Sequence, residues 1–133
     1  MFGKKDENKP HGRIDSLIGA GTRVEGCIRF TGGLRVDGEV VGGIEAVDGA
    51  SASTLVLSEH ARVEGPVRVA HLVTNGTVVG AVTVSESLEM QSKARIVGDV
   101  EYVMVEMHQG AVIEGRLLHR NTKSVELIAD ELN

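Results

Sequence analysis

The stretch Arg95-Ile96-Val97-Gly98-Asp99-Val100-Glu101-Tyr102 alternates apolar and polar residues on either side of one glycine. That is the pattern of two short strands meeting at a corner. It returns around Gly26, Gly42, Gly65, Gly80 and Gly115, so the six copies are spaced by 16, 23, 15, 18 and 17 residues. Two residues before the glycine stand Val24, Val40, Val63, Val78, Ile96 and Ile113, and two after it Ile28, Ile44, Val67, Val82, Val100 and Leu117. Four after it come Phe30, Ala46, Val69, Val84, Tyr102 and His119. A column that keeps one physical character through six copies implies copies lying on one another, one side dry and the other wet.

Composition supports a stacked core. The 133 residues fit one domain, and they hold 20 Val and 17 Gly but only two Phe, one Tyr and no Trp. A sandwich normally fills its interior with aromatic bulk, whereas aliphatic residues suit a narrow core repeated layer by layer. The net charge of -5, with both signs mixed along the chain, offers no basic face for nucleic acid. The single cysteine, Cys27, excludes an intrachain disulfide framework and a thiolate-rich zinc site. Its column otherwise holds Gly, Pro, Ala, Asp and Arg, so Cys27 is expected to face outward as a free thiol. No apolar run reaches membrane-spanning length and no secretory signal is evident, which predicts a cytosolic protein.

In chain order, residues 1–13 are polar after Phe2 and read as a disordered arm, residues 14–120 as the repeat domain, and 121–133 as a tail. Apolar residues also recur at six-residue steps: Ile18, Val24, Phe30; Leu34, Val40, Ala46; Leu57, Val63, Val69; Leu72, Val78, Val84; Met90, Ile96, Tyr102; Met107, Ile113, His119. Three inward points per winding predict an all-β, single-domain, three-sided parallel β-helix of about six windings. Hairpins need two-residue turns, and only Asp37-Gly38, Asp48-Gly49 and Asn75-Gly76 offer them. The long interval between Gly42 and Gly65 places a bulging loop at Asp48 to Ser53. In the tail, Val125, Ile128 and Leu132 fit one face of a short helix that Ser124 would cap.

A β-solenoid has two terminal windings with unpaired backbone and a half-open core, and such an edge recruits another chain unless it is covered. Little of this sequence is available as a cap. The expected contact residues are Ile18, Val24, Ile28 and Phe30 in the first winding and Met107, Val112, Ile113, Leu117 and Leu118 in the last. End-to-end self-association is the expectation, and no phosphate-binding glycine loop marks a nucleotide site.

At Leu17-Ile-Gly-Ala-Gly-Thr-Arg-Val-Glu-Gly26, Phe30-Thr-Gly-Gly-Leu-Arg-Val-Asp-Gly-Glu-Val40 and Gly110-Ala-Val-Ile-Glu-Gly115 the chain resembles the bactofilins, over about residues 14–120. The resemblance implies a right-handed β-helix that polymerises without nucleotide, like end to like end, into cytoskeletal filaments on the cytoplasmic face of the bacterial inner membrane. It also implies that Met1, Phe2, Lys4 and Lys5 act as a membrane-targeting segment on anionic lipid. Implied partners are further copies of the chain and cell-wall, morphogenesis or segregation factors. No cofactor, no metal and no catalysis are expected.

Two other readings compete. A left-handed hexapeptide-repeat enzyme, an acyltransferase or a carbonic-anhydrase-like protein, would share the six-residue steps. Its hexads should continue across windings, yet only Val84 to Met90 among the five boundary steps is six residues. Its zinc would need neighbouring imidazoles, whereas His11, His60, His71, His108 and His119 are scattered. Glu25, Glu64 and Glu114 recur at one outward column and read as surface. The other alternative is a monomeric solenoid adaptor that displays one binding face.

Overall fold

The computed structural model describes residues 14–47 and 53–120. The described chain is all strand and turn, and every strand pairing in it is parallel. The first winding is β1 (Ser16–Ile18), β2 (Arg23–Glu25) and β3 (Ile28–Phe30), and the second is β4 (Gly33–Val36), β5 (Glu39–Val41) and β6 (Ile44–Ala46). β7 (Thr54–Leu57), β8 (Arg62–Glu64) and the start of β9 (Val67–Thr74) form the third. β9 bends into the fourth winding, continued by β10 (Thr77–Val79) and the start of β11 (Val82–Met90). The rest of β11, with β12 (Arg95–Val97) and β13 (Val100–Tyr102), makes the fifth winding; β14 (Met104–Met107), β15 (Val112–Glu114) and β16 (Leu117–His119) make the sixth.

From the second winding on, each corner glycine marks a place where only a hydrogen fits. Gly98 has φ of +149°, and a Cβ there would collide with the Gly80 carbonyl of the winding beneath. Left-handed backbone and close vertical approach both demand glycine at this point. The strands between corners are short, and the stiffness of β-branched residues at χ1 suits them to strand backbone.

The register confirms the aliphatic ladders. Val24, Val40, Val63, Val78, Ile96 and Ile113 lie directly over one another, as do Ile28, Ile44, Val67, Val82, Val100 and Leu117. One column departs from the six-residue steps. Ile18 stacks on Val36, Leu57, Thr74, Met90 and Met107, so Val36 and Thr74 occupy the places expected for Leu34 and Leu72. Leu34 and Leu72 belong to a separate inward column with Leu55, Leu88 and Val105.

The cause is a corner of variable length. In the second and fourth windings Asp37-Gly38 and Asn75-Gly76 turn the chain tightly, placing Val36 and Thr74 four residues before Val40 and Val78 rather than six. Thr74 tolerates full burial because its Oγ1 accepts the Gly76 N–H at 3.0 Å. The expected loop at Asp48 to Ser53 falls mostly outside the described residues. Ser53 itself is buried rather than looped out, and its Oγ accepts the Ala70 N–H at 3.0 Å.

Candidate polymerisation interface

Alternation sends every second residue outward, and parallel register lines these residues up between windings. One outer column reads Arg23, Glu39, Arg62, Thr77, Arg95, Val112, and another reads Arg29, Glu45, Arg68, Thr83, Glu101, Leu118. Their charges alternate where they meet, and Arg23 pairs with Glu39 at 3.1 Å across the first two windings. Glu25, Glu64 and Glu114 share an outward column with Val41, Val79 and Val97, as expected of surface. Cys27 is exposed with a free thiol.

The last winding breaks this pattern. Val112 and Leu118 end columns that are polar elsewhere, and Met104 ends the column of Gly33, Thr54, His71 and Ser87. Each of the three faces therefore carries an outward apolar residue on its final strand. The inward columns end in Val105, Met107, Ile113 and Leu117, of which Val105, Met107 and Leu117 are exposed because nothing described lies over them. Met104, at 66% exposure, is the most open of this group. Together these side chains give the last winding six exposed apolar residues, Met104, Val105, Met107, Val112, Leu117 and Leu118. Beside it, the outer edges of β14, β15 and β16 have no strand partner among the described residues.

The first winding is finished differently. Ile18, Val24, Ile28 and Phe30 are half-buried against the core, while Arg23, Glu25 and Arg29 ring them with charge. Leu17 and Ile14, at 60% and 40% exposure, add apolar surface. The structure thus gathers the expected contact residues at two opposite ends, with Met107, Val112, Leu117 and Leu118 open and Ile113 half-buried. Met104, Val105, Leu17 and Ile14 were missed in the sequence reading. The signal for Met104 was available: it is an apolar residue at a position where earlier windings carry polar or small ones.

Charged clips hold the last winding down. Asp99, just after the fifth-winding corner, accepts the Arg116 backbone N–H and a guanidinium N–H, both at 3.0 Å. The backbone donor is the larger cause, and with the guanidinium it holds the Asp99 carboxyl below the usual carboxylate range. Arg95 pairs with Glu114 and Arg120 with Glu101 across the same two windings. His119 packs on Tyr102 with ring centroids 5.4 Å apart, and its Nε2 lies 3.1 Å from the Val103 carbonyl. His60 is exposed at a corner and His71 Nδ1 meets Ser87 Oγ at 2.8 Å on another element. His11, Met1, Phe2, Lys4 and Lys5 lie outside the described residues, as does the 121–133 tail.

A six-winding parallel β-solenoid with no helix among its described residues defines the class as an all-β parallel β-solenoid. The chain belongs to the bactofilin family: the family model described as "Bactofilin: Polymer-forming cytoskeletal" matches residues 16–118. It is 27% identical over 103 residues to bactofilin BacP of Myxococcus xanthus (strain DK1622), a match covering 77% of this chain and 41% of that protein. The match thus spans about two fifths of that relative's length. The solid-state NMR structure of the cytoskeletal bactofilin BacA superposes with a TM-score of 0.70 at 28% identity, over 82% of this chain and 99% of that one. No described helix is long and apolar enough to cross a membrane.

Proposed function

We propose that this chain is a cytoskeletal scaffold that polymerises end to end through its terminal windings, without nucleotide, on the cytoplasmic face of the inner membrane. The observation that carries the reading is the apolar last winding, where Met104, Val105, Met107, Val112, Leu117 and Leu118 are all exposed beside strand edges that have no partner among the described residues. Covering them with another copy continues both the core ladders and the backbone pairing at the interstrand spacing of ~4.8 Å, so six windings advance the filament by roughly 29 Å per subunit. No chemical energy source is required for such stacking, because burial of apolar surface drives it. The role is structural rather than catalytic, and the polymer recruits cell-wall, morphogenesis or segregation factors.

Met1, Phe2, Lys4 and Lys5 provide the lipid contact in this reading. Burying Phe2 contributes ~1.5–3 kcal/mol and each lysine ~1 kcal/mol on an anionic leaflet. One arm holds weakly, but a polymer engages many arms together. Sedimentation tests the polymer: Leu117→Arg and Met107→Arg should stay in the supernatant as folded protein where the parent chain pellets. Pelleting of both variants would remove the terminal contact from the proposal. Deleting residues 2–5 should leave filaments intact yet release them from anionic liposomes, and undiminished flotation with liposomes would refute the membrane role.

A further inference from the structure

Glu89 on β11 and Glu106 on β14 are register partners on adjacent parallel strands. The other rungs with two charged residues join opposite signs among the described residues: Arg23 with Glu39, Glu39 with Arg62, Arg29 with Glu45, Glu45 with Arg68. Like charges directly opposite one another destabilise a sheet, so this rung calls for a positive partner. No lysine or arginine stands in its column, which reads Leu17, Arg35, Val56, Val73, Glu89, Glu106 apart from the distant Arg35.

What reaches the rung is His108. Its N–H donates to the Met90 carbonyl at 2.8 Å, which pins the residue at the start of the last long corner. From there its Nε2 lies 3.1 Å from Glu106 Oε2 and 3.4 Å from Glu89 Oε2. The three donor atoms all fall within 4.8 Å of one another. Donors around a tetrahedral zinc ion, at ~2.0–2.1 Å from the metal, stand roughly 3.3–3.4 Å apart. Both measured separations are already close to that edge length. Histidine offsets the two carboxylates only when protonated, whereas a divalent ion held by neutral imidazole offsets both.

We propose that Glu89, Glu106 and His108 bind a divalent metal ion of the zinc class and so tie the last winding to the one before it. One imidazole nitrogen with two carboxylate oxygens selects a borderline transition ion over magnesium or calcium, which favour all-oxygen shells. Three protein ligands leave a position for water, and the exposed setting lets the ion exchange with solution. The site joins β14 to β11, adding a cross-link where the last winding has strand neighbours on one side only among the described residues. It depends on the register of windings five and six and not on polymerisation.

Chelator-treated full-length chain titrated with zinc chloride, followed by calorimetry and by hydrogen exchange at the β14 amides, tests the site. The unmodified chain should bind one more equivalent of zinc than His108→Lys, which keeps a cation between the carboxylates but removes the imidazole donor. Zinc should slow β14 exchange tenfold or more in the unmodified chain and leave it unchanged in His108→Lys, with magnesium chloride giving no slowing in either. Equal zinc stoichiometry, or equal slowing, in the two chains would overturn the proposal. If His108→Lys does not fold, Glu106→Gln at an exposed strand position carries the same comparison.

Discussion

The fourth and sixth windings are written in the same pattern and end in different physical states. Val78, Val82 and Val84 of the fourth are at most 1% exposed, while their ladder successor Leu117 is 46% exposed and Ile113 only half-buried. Nothing in the individual side chains accounts for this. In a solenoid, the surface that buries a residue belongs to the next copy of the pattern, so an aliphatic side chain is core or interface according to its distance from the end. The fourth winding is completed by its own chain; the sixth has nothing over it among the described residues.

The largest difference should come from placing the same charge at both levels. Val78→Arg buries an unpaired cation between two windings and should unfold the protein or lower its stability by more than ~4 kcal/mol in urea titration. Leu117→Arg leaves the cation in water, and under dilute conditions its unfolding free energy should stay within about 1 kcal/mol of the parent. Comparable losses in the two variants would show that the last winding is covered within one chain.

The corner glycines allow a second, smaller contrast. Gly98→Ala forces a side chain into left-handed backbone and against the Gly80 carbonyl, for a combined cost on the order of 3 kcal/mol. Gly26, in the first winding, has φ of +126° but open space where its Cβ would stand. Gly26→Ala should therefore cost only the backbone strain, about 1 kcal/mol. Equal costs in thermal melts would mean that vertical crowding between windings contributes nothing.

The smallest effect concerns acid. The folded-state value of Asp99 lies below the ordinary one, so its stabilisation of the last winding is complete above about pH 4 and is lost as pH falls through the folded value. Hydrogen exchange at β16 should accelerate across that range in the parent chain, relative to β10. In Asp99→Asn, β16 should exchange faster already at neutral pH and show less added acid sensitivity. Unchanged acid sensitivity in the variant would assign it to another carboxylate.

Much of this architecture was legible from residues. The glycine columns, the two valine-rich ladders and the outward set around Arg95, Asp99 and Glu101 could be read because each repeats a local constraint. The column containing Val36 and Thr74 could not. Leu34 and Leu72 satisfy the six-residue step equally well by hydrophobicity, and only the tighter Asp-Gly and Asn-Gly corners shift the register to their neighbours. The site at Glu89, Glu106 and His108 was hidden for the same reason, since Glu89 is 17 residues from Glu106 and the two meet only through pairing of β11 with β14.

Alternation and recurrence in the sequence determined that this chain coils into parallel windings, which residues of the glycine-anchored ladders are dry, and that its ends are apolar. These follow from local sterics and side-chain hydrophobicity, which each copy states for itself. The tertiary structure alone decided how the windings are phased at each corner and which carboxylates oppose one another. Phase is a property of backbone pairing between distant segments, and it depends on turn lengths that side-chain chemistry leaves open.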